Sequence, residues 1–152
     1  MSKEFIPYEQ ALELKELGFD EPCMAFYELN NREVMVVGVS QRYNDPSLLT
    51  ITDFCAPLYQ QAFRWFREKF ESTIHIYQYQ DTQRWDFDVY DNTPEEEDFG
   101  NPSYDTYEEA ELECLKKLIE IAKQLIADIS QRISDEVDKM VVEEMIKIAK
   151  QE

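Results

Sequence analysis

"STIHIYQYQDTQRWDFDVYDN", residues 72–92, decides how this chain folds. Ile74 and Ile76 alternate with Thr73, His75 and Tyr77. Beyond "QDTQ", Trp85, Phe87 and Val89 alternate with Asp86, Asp88 and Tyr90. A period of two, apolar on one side and polar on the other, predicts an antiparallel hairpin with one face covered and one in water. The residues on either side of this stretch carry the helical period instead, so the chain mixes sheet and helix.

Immediately upstream, "APLYQQAFRWFREKF" (56–70) places Tyr59, Ala62, Phe63, Phe66 and Phe70 at three- and four-residue intervals, with Leu58 and Trp65 widening the stripe. Arg64, Arg67, Glu68 and Lys69 fall on the other side, because a helix turns about 100° per residue. Pro57 suits the opening of this helix, with Asp53 or the residues after it as cap. Nearer the start, "PYEQALELKEL" (7–17) reads as a short helix between Pro7 and Gly18, with Tyr8, Ala11, Leu12, Leu14 and Leu17 on its apolar side. "CMAFYEL" and "EVMVVGV" flank "NNR" and predict a first hairpin. The unbroken run Val34–Val37 suggests a strand covered on both faces, and residues 40–55 read as a polar connection.

Downstream, "NTPEEEDFGNPSYD" (92–105) is a loop, and Thr106 with Glu109 forms a capping box that opens a helix. Glu111, Leu115, Leu118, Ala122, Leu125 and Ile129 follow largely as a heptad seam, continued loosely to Ile148. One helix from 107 to 149, or two with Asp128 or Ser130 capping the second, both fit. A single one would be roughly 65 Å long at 1.5 Å per residue, so its far end is expected to fold back or meet another chain. The expected fold is α+β in the order α-ββ-α-ββ-α. Two β-hairpins form a small antiparallel sheet packed by helices, with a domain over 1–127 and a helical extension over 128–152.

The 152 residues provide one domain's worth of chain, and 43% hydrophobic content with 13% aromatics suffices for a core. Cys23, Cys55 and Cys114 are few and scattered, which speaks against a disulfide framework or a C-x-x-C metal site and for buried, reduced thiols. No apolar run approaches the ~20 residues of a membrane span. "MSKEFIPYEQ" lacks the features of a secretory signal, so a cytoplasmic location is expected. The net charge is −18, and twelve acids without one base lie between Arg84 and Lys116, two thirds of the excess. Such a surface repels phosphates. Direct nucleic-acid binding and attachment to an anionic membrane are therefore not expected, whereas a basic protein partner is allowed.

No residue pattern here calls for catalysis. His75, the one histidine, lies within a strand, away from any nucleophile at a telling spacing. Asp86, Asp88 and Asp91 lack the glycine turn of a calcium loop and read as a solvated sheet face. "PEEED" reads as a solvated loop, and Phe63, Trp65, Phe66 and Phe70 as core rather than base-stacking groups. Phosphate-loop, dinucleotide and zinc-helix motifs are missing from the sequence, so no cofactor or metal is expected. Two surfaces remain as candidates for partner contact. One is an acidic face of Asp86, Asp88, Asp91, Glu95, Glu96, Glu97, Asp98, Glu108 and Glu109. The other is an association seam of Ile129, Ile133, Val137, Met140, Met145 and Ile148.

With "ALELKELGFDEPC", "APLYQQAFRWFREKF" and "YDTYEEAELECLKKLIEI" in view, the chain resembles a group of small uncharacterised proteins of phages and prophages of Bacteroides and related gut bacteria. The likeness covers about residues 6–123. It implies a mobile-element origin and the cytoplasm of a bacterial host, and brings no activity and no catalytic residues. Those proteins end soon after the "LKKLIEI" helix, so the residues beyond about Ala127 depart from the pattern. The expected role is a non-enzymatic accessory protein acting by protein contacts. Two alternatives are an acidic DNA mimic that inhibits a basic host defence protein, and a virion or assembly component that self-associates through its C-terminal helix.

Overall fold

The computed structural model describes residues 2–28, 31–41, 53–90 and 103–150. Among these lie helix α1 (Tyr8–Glu16), strands β1 (Cys23–Glu28), β2 (Asn31–Gln41) and β3 (Asp53–Cys55), helix α2 (Tyr59–Phe70), strands β4 (Thr73–Gln78) and β5 (Trp85–Tyr90), and helix α3 (Tyr107–Ala149). The fold class is α+β, as the alternation of periods requires. The chain divides into two compact units, Met1–Ile119 and Glu120–Glu152.

The two hairpins belong to separate small sheets rather than to one. The first sheet runs β2-β1-β3 and the second is the β4-β5 pair. β3 was hidden in the stretch read as a polar connection. Phe26 faces Cys55, Tyr27 faces Phe54 and Glu28 faces Asp53 across the β1-β3 ladder. Phe54, Cys55 and Ala56 are buried, so this three-residue strand contributes core out of proportion to its length. β2 is left with β1 as its one partner among the described strands, and the β1-β2 register slips twice. The expectation that Val34–Val37 is covered on both faces does not hold at Met35, which is 41% exposed. Met35 pairs with Phe26 in the ladder and stands on a face of β2 that water reaches.

α2 supplies much of the aromatic interior. Tyr59, Ala62, Phe63, Trp65 and Phe66 are buried while Arg64, Arg67, Glu68 and Lys69 are exposed, the division its periodicity predicts. Its first turn is capped by Gln61, not by Asp53, which lies in β3. The Leu58 N–H donates to the Gln61 Oε1 at 3.0 Å, and Gln61 Nε2 donates onward to the Pro22 carbonyl at 2.9 Å. Arg64 forks onto Glu21 beside that bond. The N-terminal segment closes the same region: the Ile6 N–H donates to the Pro57 carbonyl at 2.9 Å, and the Tyr27 hydroxyl donates to the Ile6 carbonyl at 2.8 Å. Phe5 bridges to Leu58 in strand fashion.

The cysteines follow the expectation of buried free thiols. Both Cys23 and Cys55 reach the Glu21 carbonyl at 3.6 Å. Contact with Cys55 and burial push the Cys23 thiol far up, and burial pushes Cys114 up to about 12. Both shifts hold Cys23 and Cys114 away from the thiolate, the reactive form.

Candidate functional site: an acidic hairpin and an uncovered helix

The β4-β5 hairpin pairs Thr73 with Tyr90, His75 with Asp88, Tyr77 with Asp86 and Gln78 with Trp85, without a slip. Phe87 and Val89 are buried on the covered face, where Phe87 stacks on Tyr104 at 6.0 Å and Trp85 meets Tyr107 edge-on at 5.1 Å. Tyr104 extends the ladder past β5: its N–H and carbonyl bond to those of Trp85 at 2.7 and 2.8 Å. No sequence period announces that contact.

The opposite face departs from the solvated acidic surface the sequence suggested. Asp86 is only 8% exposed. Its Oδ2 accepts from the Tyr79 hydroxyl at 3.2 Å and its Oδ1 from the Phe87 N–H at 2.8 Å. Tyr77, directly opposite, meets Tyr79 edge-on at 5.5 Å, and the Tyr77 hydroxyl lies 3.5 Å from Asp88. The two rings cover the carboxylates that alternation alone assigned to water. The bond with Tyr79, burial and the two aspartates raise the Tyr77 phenol well above its ordinary range. His75 is exposed opposite Asp88, with Tyr90 edge-on at 6.2 Å.

Of the other candidate acids, Asp91, Glu95, Glu96, Glu97 and Asp98 lie outside the described residues. Glu108 and Glu109 are exposed in the first turn of α3. Glu109 is committed to the cap: its N–H donates to the Thr106 hydroxyl at 3.2 Å, and its Oε2 accepts from the Asp105 N–H at 3.2 Å. The expected box is present, reaching one residue further back than the standard form. Among the described residues, no three His, Cys, Asp or Glu side chains are grouped to hold a metal ion.

α3 decides the remaining choice in favour of one continuous helix. Asp128 and Ser130 cap nothing. Asp128 accepts from Gln124 Nε2 at 2.8 Å, and the Ser130 hydroxyl donates to the Ile126 carbonyl at 2.8 Å, both internal to the helix. Ala110, Cys114, Leu115, Leu118, Ile119 and Ala122 are buried, and from Lys123 to Lys150 every residue is exposed. Eleven large aliphatic side chains stand in this exposed half, from Leu125 at 38% to Met145 at 65%. Most of them share one side of the helix, while Val142 and Ile146 fall opposite Val137 at 100° per residue. All six seam residues are among the eleven. Their spacing is not heptad, however: Leu115, Ile126, Val137 and Ile148 recur every eleven residues. An eleven-residue repeat keeps such positions on one side of a helix, with a slight right-handed drift.

No described helix is long and apolar enough to cross a membrane. Compared with protein families, curated proteins and solved structures, the chain matches none.

Proposed function

We propose that this is a non-enzymatic protein that works by protein contacts through the exposed half of α3. This is the accessory role implied by its resemblance to phage and prophage proteins. The observation that carries the reading is the row of aliphatic side chains beyond Ala122, each 38–65% exposed. A surface of that size and composition is costly in water and is stabilised when another chain covers it. The candidate acidic face supports a basic partner less well, because Asp86 and Glu109 are already engaged within the chain.

The test compares the full chain with an Ile133→Asp, Met140→Asp variant, both checked for native circular dichroism. Light scattering reads the oligomeric mass, and retention of host-lysate proteins on the immobilised chain reads other partners. The substitutions are expected to change at least one of the two. A variant identical to the parent in both refutes the reading.

A further inference from the structure

We infer that the partner of this helix face is a second copy of the same chain, paired antiparallel about a two-fold axis beside Val137. The inference rests on the contact reading above and names its occupant. Placed at 100° per residue, Ile126, Ile129, Ile133, Val137 and Met140 form one narrow stripe, each at least 42% exposed. The two flanks of that stripe differ in kind. One bears Arg132, Glu136, Lys139 and Glu143; the other bears Ala127, Ser130 and Ser134 in its first half, then Val141, Met145 and Ile148.

In an antiparallel pair, like flanks meet. With the axis between Val137 and Asp138, positions whose numbers sum to about 275 lie at one level. Arg132 then faces Glu143 of the second copy and Glu136 faces Lys139, each twice by symmetry. On the other flank the same register sets Ala127 against Ile148, Ser130 against Met145 and Ser134 against Val141, small against large at every level. Ile126, Ile133 and Val137 meet Ile148, Val141 and Val137. One register thus satisfies charge on one flank and volume on the other, while Glu144 and Lys147 come level with Ile129 and Ile126. A parallel pair brings opposite flanks together, setting Arg132 and Glu143 against Ser134 and Val141, and gains none of these matches.

Glu144 and Lys147 are the charged intrusions into the stripe. They hold each other at 3.1 Å. Net charge agrees with self-association. Residues 120–152 carry eight acids and five bases, a net of −3, whereas the other 119 residues carry the remaining −15. Two strongly acidic chains repel least where they meet through that segment.

The test uses two full-length variants, Arg132→Glu and Glu143→Arg, each checked for native circular dichroism. Sedimentation over a concentration series is expected to show the parent as two 18.1-kDa chains. Each variant alone sets like charges together twice and should dissociate about tenfold more readily or worse. Mixing the two variants restores both pairs in a heterodimer, and dimer should reappear at parental affinity. A parent that is monomeric, trimeric or larger overturns the inference, as does mixing that restores nothing. If the parent is monomeric yet Ile133→Asp, Met140→Asp still abolishes capture of another protein, self-pairing fails while the contact reading stands. If neither occurs, both fail.

Discussion

Removing a single oxygen atom, with Tyr27→Phe, should unfasten the N-terminal segment. Tyr27 is 3% exposed, and its hydroxyl donates at 2.8 Å to the carbonyl of Ile6, which is wholly buried. The Ile6 N–H is held by Pro57, so this residue has both backbone groups satisfied inside the protein. Phenylalanine keeps the ring against Tyr8 and Phe54, at 5.3 and 5.6 Å, and leaves the carbonyl stranded. A lost bond with a buried partner left unpaired costs about 1–3 kcal/mol. For a chain of this length each kcal/mol lowers Tm by roughly 2–4 °C, so a fall of about 4–8 °C is expected for a 2 kcal/mol loss. The same oxygen contributes to the alkaline limb. Burial, with Glu9 nearby, pushes the Tyr27 phenol up to about 12 from its ordinary 10. A phenol harder to ionise when folded leaves stability untouched below pH 10 and erodes it as pH rises toward 12. Over two pH units this amounts to about 2.7 kcal/mol at most. Urea melts at pH 8, 10, 11 and 12 should therefore show the parent losing stability faster than the variant above pH 10. A variant as stable as the parent at pH 8, or with the same alkaline slope, would refute the buried bond.

Asp86→Ala removes the acceptor of both the Tyr79 hydroxyl and the Phe87 N–H, and should cost about 1–3 kcal/mol in urea unfolding. Asp86→Asn retains one amide oxygen and should recover part of the loss; a cost below about 0.5 kcal/mol for alanine would return this carboxylate to solvent. Gly18 ends α1 with φ at +89°, and a Cβ built there meets no atom within 4 Å. Gly18→Ala should therefore lose about 1–2 kcal/mol through backbone strain alone, and thermal melting that finds it neutral would contradict the left-handed turn.

The parts of this fold legible in the sequence are those in which one periodicity governs enough residues to outvote local noise. α2 is the clearest: twelve residues divide into buried aromatics and exposed charges as a 100° rotation demands. The second hairpin is legible down to its register, since "QDTQ" centred between 81 and 82 sets Tyr77 opposite Asp86. That register contained the correction to the acidic face. Tyr77 and Tyr79 share a face with Asp86 and Asp88, and a phenol is large enough to cover a carboxylate and polar enough to bond to it. Period two sorts side chains by face but says nothing of which polar residues a neighbour will cover. β3, the Tyr104 bridge and the Phe5–Leu58 bridge were illegible for another reason. Each is three residues or fewer, held by backbone bonds to a distant strand, and no pattern can accumulate over so short a span.

The distal half of α3 shows the converse, a pattern legible in full whose physical meaning the sequence leaves open. Its aliphatic stripe has the regularity of core but not the burial. Within Ala110–Ala122 the helix buries six apolar side chains, and the same rhythm persists after that burial has ended. A helix needing only solubility beyond Lys123 would be expected to turn polar all round, with i to i+4 pairs such as Gln131–Asp135 on every side. Instead the Gln124–Asp128 and Gln131–Asp135 pairs lie on the back of the helix, while Ile126, Ile133 and Val137 keep core spacing on the front. Eleven exposed aliphatics on a chain of net charge −18 are the reason we propose a surface to be covered, and the complementarity of its flanks under reversal is the reason we propose another copy of the chain as its cover.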